Sequence, residues 1–194
     1  MNMKHFAIVL AATLLAACTT SQVTTGYYDL EGSTGEQLDR QIRLKGPAKG
    51  HALASAAIRF KPLDISFRED AAGCAVSRAR IQVIANITLP RWQNRLGSEE
   101  GLRRAFNNLQ NYARAHEKTH VRIAELAARE MESALKALPA SSTCKRLDKK
   151  VERTVKAKLR KHDKAQKAFD AAEARRLAEI FGEAEPRQRR SGTS

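Results

Sequence analysis

The chain has 194 residues, 42% of them apolar but only 5% aromatic, and a formal net charge of +14. That length suits one domain built on one core. The basic balance reads first as solvated helix faces and also suits an anionic envelope surface or acidic substrates. Nucleic acid is set aside as the normal partner, because its recognition calls for aromatic platforms interleaved with basic residues.

In chain order, Met1 to His5 carries Lys4 and is followed by Phe6 to Ala17, almost wholly apolar. The run is too short to span a bilayer and has the shape of a secretory signal, which assigns residues 1–17 to a signal peptide. Leu15-Ala16-Ala17-Cys18 resembles the bacterial lipobox. That resemblance implies that Cys18 becomes the first mature residue and carries a lipid. Thr19 is not the Asp associated with inner-membrane retention, so the expected address is the outer membrane, facing the periplasm. Loss of the signal removes only Lys4, leaving (35 − 1) − 21 = +13.

Setting Cys18 aside leaves Cys74 and Cys144. In an oxidising compartment two such thiols most economically form one disulfide. Closing a loop of about 70 residues is worth roughly 4 kcal/mol in the chain-entropy model, an upper-end figure.

Residues 18–26 are rich in Thr, Ser and Gln and read as a lipidated tether, leaving 27–184 as one domain. Its sheet part, 27–96, begins with a short strand at Tyr27 to Leu30. A helix over Gly35 to Leu44 is stopped by Gly46-Pro47. Ala52 to Phe60 and Leu63 to Arg68 read as two strands broken at Pro62. Val76 to Leu89, dense in β-branched residues, reads as a long bent strand or a hairpin. The expectation is a small, mainly antiparallel sheet of three to five strands, followed by a long antiparallel helical hairpin over 97–184: an α+β fold. The basic tail 185–194 carries no apolar anchors and is expected to be disordered.

His116-Glu117-Lys118-Thr119-His120 lies in the first arm of that hairpin. Residues four apart share a helix face, so two imidazoles reach one Zn²⁺. Glu117 lies close enough to serve as general base toward a water at the metal. Apolar spacing through Phe106, Leu109, Ala113, Ala124, Ala127, Met131 and Leu135 puts both histidines on the inward stripe. The plainer reading is a pair of core histidines satisfied by hydrogen bonds, at the cost of burying three polar groups without a shared partner.

The second arm, Cys144 to Phe181, has the stripe Leu147, Val151, Val155, Leu159, His162, Gln166, Phe169, Glu173, Leu177 and Ile180. Counting outward from the turn sets residues 163–167 opposite the motif. A catalytic zinc commonly takes a third protein ligand. Asp170, beside the stripe, is the first choice, with His162 and Glu173 as alternatives.

Together these pieces resemble a bacterial family of secreted proteins, domain of unknown function nine-two-two, read as zinc-dependent proteases with zincin-like helices. The resemblance is carried by Tyr28 to Pro47, Cys74-Ala75-Val76, Leu89-Pro90-Arg91-Trp92, His116 to His120, Cys144, Gln166 and Phe169-Asp170. It implies a membrane-anchored metalloprotease holding one zinc and hydrolysing peptide or protein substrates of the cell envelope. The family pattern implies Thr-x-His-Gly after the aromatic-Asp pair, whereas this chain reads Glu173-Ala174-Arg175-Arg176. If that His were the family's ligand, Arg175 has replaced it; if the Asp is, Asp170 keeps the site intact. The rival reading is a non-catalytic envelope lipoprotein whose basic hairpin binds a partner and whose metal site is structural or degenerate.

Overall fold

A computed structural model describes residues 20–182. The expected signal peptide, Cys18 and the basic tail lie outside the described residues. The fold is α+β: three strands in a mixed sheet, with four helices.

The strands are β1 (Ser21–Leu30), β2 (Ser55–Asp70) and β3 (Gly73–Trp92), in the order β1-β3-β2. β1 runs parallel to β3 and β2 antiparallel to it, so the sheet is mixed and not mainly antiparallel. Residues 21–26, expected to be tether, are already strand: Val23, Thr24 and Thr25 are β-branched and pair with Ala85, Asn86 and Ile87. Their side chains are exposed, which is why their polar composition resembles a linker.

Pro62 does not break β2. The strand is an edge, so a missing N–H costs no ladder bond there, and a register shift between Pro62 and Asp64 absorbs the ring. β2 and β3 form a hairpin closed at Ala71-Ala72. Gly73 follows at φ +113°, where a Cβ would collide with the Ser141 carbonyl.

β3 is the central strand and one of its faces is the core. Ala79, Ile81, Val83, Ala85, Ile87 and Leu89 alternate inward and are buried. Helix α1 (Gly35–Lys45) is capped by Thr34, whose hydroxyl accepts from the Gln37 amide at 3.3 Å. It packs Leu38 with Leu30, Trp92 and Phe106. A four-residue turn, α2 (Pro47–Gly50), leads into β2.

Helix α3 (Glu100–Lys136) lies over the inner face of β3. Helix α4 (Cys144–Gly182) returns beside it, with Leu147 and Val151 buried and Val155 and Leu159 packed on the same cluster. The connection is tied to the sheet. Cys74 and Ser141 exchange backbone bonds of 2.7 and 2.8 Å, and Cys74 is disulfide-bonded to Cys144 as expected. Thr20 caps the Val83 amide; one step further along β3, Glu132 of α3 reaches in and accepts from the Ile81 amide at 2.6 Å. Among the described residues no helix is long and apolar enough to cross a membrane.

Candidate metal centre

The buried face of α3 runs through Ala113, Glu117, Val121, Ala124 and Ala128. The inward stripe is therefore turned from the sequence expectation, which centred it on the two histidines. α3 has two partners, the sheet and α4, so its inner arc is wide. Glu117 faces the sheet side and is 5% exposed, whereas His116 and His120 occupy the seam with α4.

Across that seam stand Gln166, Phe169 and Asp170. The helices are staggered further than symmetric counting gives, so the motif faces 166–170 and not 163–167. The turn causes this, because its residues detour to pair with Cys74 before α4 begins.

Three donors converge. His116 Nε2 and His120 Nε2 are 3.0 Å apart, and Asp170 Oδ1 lies 3.3 Å from the first and 3.0 Å from the second. Donors held about 2.0–2.1 Å from one tetrahedral centre sit about 3.3 Å from each other, close to this spacing. Two imidazole Nε2 atoms facing each other beside a carboxylate also make poor partners for one another unless a proton or cation lies between them. Two imidazoles and a carboxylate are a donor set that suits Zn²⁺, so the residues fit the group that the sequence expectation requires.

The rings are fixed by their surroundings. Phe169 packs against both, with centroids 4.7 Å from His116 and 5.1 Å from His120. Gln166 Oε1 accepts from His120 Nδ1 at 2.5 Å, which leaves Nε2 as the lone-pair nitrogen facing Asp170. The Gln166 amide nitrogen donates to the His120 carbonyl at 3.1 Å and to His162 Nε2 at 2.7 Å. His162 in turn bonds Asp163 at 3.3 Å through Nδ1. His116 differs: its Nδ1 is buried and has no partner among the described residues, so no hydrogen bond on that side of the ring orients it.

The other two ligand candidates are engaged elsewhere. His162 is buried against Phe60 and bonded to Gln166, outside the three-donor cluster. Glu173 accepts from Tyr112 Oη at 2.9 Å and from two Arg176 nitrogens at 3.0 Å each. Those bonds pull its pKa down to about 2. The sequence reading puts Gln166 on the inner stripe without a role; a polar side chain on that stripe one turn before Asp170 is the signal for it. Tyr112 and Arg176 carry no such signal, because the register that joins them to Glu173 is set by the turn.

Burial raises the pKa of Glu117, with His120 opposing and Asp170 reinforcing the shift. Burial and the neighbouring His120 hold His116 below its ordinary value, against Asp170 and Glu173, which favour its charged form. A carboxyl whose proton affinity is raised by burial, next to the two ring nitrogens, meets a condition a general base needs.

A cleft lies between the histidine seam and the segment leading into β2. His116, Glu117 and Asp170 line its floor, with Ala52, Ala54, Ser55 and Ala56 on the opposite wall. Two helices joined by a short turn, a three-stranded sheet behind them and a histidine pair in the seam define an α+β domain with a solvent-facing candidate metal cleft. The chain belongs to the bacterial family of unknown function DUF922, whose model matches residues 25–176. No curated protein and no solved structure matches it.

Proposed function

We propose that the protein is a zinc-dependent peptidase of the cell envelope, with His116, His120 and Asp170 as the metal ligands. The observation that carries this reading is the convergence of three ligand atoms from two helices, with a buried glutamate from the same motif lining the same cleft. Zn²⁺ held there would polarise a scissile carbonyl and make an adjacent water more acidic.

The chain's own residues do the rest. Glu117 takes a proton from the attacking water and later delivers it to the leaving amine, a role suited to a carboxyl whose pKa burial has raised. Gln166 holds His120 in the tautomer that presents Nε2. Phe169 shields the ring pair from water on the α4 side. In this reading Arg175 in place of a family histidine is harmless, because Asp170 supplies the third ligand. A lipid on Cys18 would hold the domain at the outer membrane and keep its substrates among periplasmic peptides and proteins.

The test compares Glu117→Gln with the native chain, both loaded with zinc. Hydrolysis of a mixed peptide pool should fall at least a thousandfold while zinc content stays at one per chain. Equal zinc with equally absent hydrolysis in both proteins would favour the rival, a metal-binding envelope lipoprotein without turnover.

A further inference from the structure

β3 offers no edge to a peptide, because it is paired with β1 on one side and β2 on the other. The free edge beside the cleft belongs to β2. The Val83 amide points toward β1, since it bonds Thr20. Alternation along β3 then turns Ile84, Asn86 and Thr88 toward β2, where their partners are Arg59, Ala57 and Ser55. The residues between those partners, Ala56 and Ile58, direct their N–H and C=O away from the sheet. Both line the cleft with His116, His120 and Asp170.

Small side chains flank that edge. Ala52, Ala54, Ser55 and Ala56 leave the backbone reachable where bulky residues would cover it. Beside His116 the cleft adjoins a recess of about 300 Å³. Leu53, Leu109, Tyr112, Ala113, Ala174 and Leu177 make its walls apolar. Leu109 is 43% exposed, so an apolar side chain entering the recess would bury surface that the fold leaves wet. Outside the motif and Asp170, the one carboxylate at its rim, Glu173, is paired with Arg176 and bonded by Tyr112, so away from the metal ligands and Glu117 the recess offers no unpaired charge to a charged side chain.

We infer that the cleft takes an extended peptide segment, paired through its backbone with Ala56 and Ile58 of β2, and that the recess selects a bulky apolar side chain next to the metal ligands. This rests on the peptidase reading and names the substrate class of that site. Backbone pairing gives affinity without regard to sequence, and the recess gives selectivity at one position.

The experiment uses the full chain as zinc-supplemented Glu117→Gln, which binds without cutting, and fluorescein-labelled, end-blocked alanine hexapeptides. One position carries Leu, Phe, Ala, Asp or Lys. Leu and Phe peptides should bind at least tenfold more tightly than Ala, and Asp and Lys no better than Ala. N-methylation moved along the Leu peptide should abolish binding at alternate positions, a pattern that needs no change in the protein. Ala56→Pro, which removes an outward N–H but no ladder bond, should weaken every peptide about tenfold with zinc content unchanged. Indifference to the side chain, or loss of binding without two-residue alternation, overturns the inference. One zinc per chain with no peptide bound refutes it and leaves the metal centre standing; the expected peptide pattern in a protein that holds no zinc refutes the metal centre and upholds the peptide cleft.

Discussion

Replacing Gln166 by Leu removes three hydrogen bonds at once while keeping the side chain's approximate volume. Its oxygen holds His120 Nδ1 at 2.5 Å, and its nitrogen reaches the His120 carbonyl at 3.1 Å and His162 Nε2 at 2.7 Å. Without the first bond, His120 no longer has a reason to keep its proton on Nδ1, and the tautomer with Nε2 blocked becomes accessible. Loss of a group that orients a ligand in this way typically weakens metal affinity 10–100-fold, about 1.4–2.7 kcal/mol. Competition against a chromogenic chelator would measure it. Glu173→Gln is the control, since Glu173 is occupied by Tyr112 and Arg176 and should change the zinc Kd less than about threefold (roughly 0.6 kcal/mol). A Gln166→Leu protein that holds zinc as tightly as the native chain would refute the reasoning, as would a Glu173 variant that loses it.

Two further outcomes test the scaffold that presents the site. Gly73→Ala should cost about 2 kcal/mol or more in urea unfolding, because the left-handed backbone at φ +113° and the Ser141 carbonyl both reject a Cβ. Glu132→Leu strands the buried Ile81 amide and should lower stability by about 1–3 kcal/mol, whereas Glu132→Gln keeps an acceptor and should cost less than half as much by the same unfolding assay.

Much of this architecture could be read from residue patterns, and the parts that could not share a cause. The stripe of α4 came through because that helix has one packed side, so Leu147, Val151, Leu159 and His162 repeat at a single spacing. α3 is packed on two sides, and its inner arc cannot be centred by spacing alone; hence Glu117 is deep and the histidines lie in the seam. β1 was half hidden, since Thr and Ser on an exposed parallel edge resemble a linker. Pro62 marks a break only in a strand with neighbours on both sides, and β2 has one. The cysteine pair was legible by counting.

The candidate third ligand was the hardest to read, because a helical hairpin's register depends on its turn. Asp170, His162 and Glu173 all lie on or beside the inner stripe, and only the detour through Ser141 decides which meets His116 and His120. The direction of the free sheet edge was likewise invisible until strand order was known.

Zinc stoichiometry tests the central claim most directly. The purified mature chain, dialysed against zinc and then against buffer, should retain one equivalent by elemental analysis, and His116→Ala and Asp170→Ala should each retain less than a tenth of that under the same dialysis. Native protein that emerges metal-free, or an Asp170→Ala variant that still holds a full equivalent, would contradict the assignment of two imidazoles and this carboxylate to one ion.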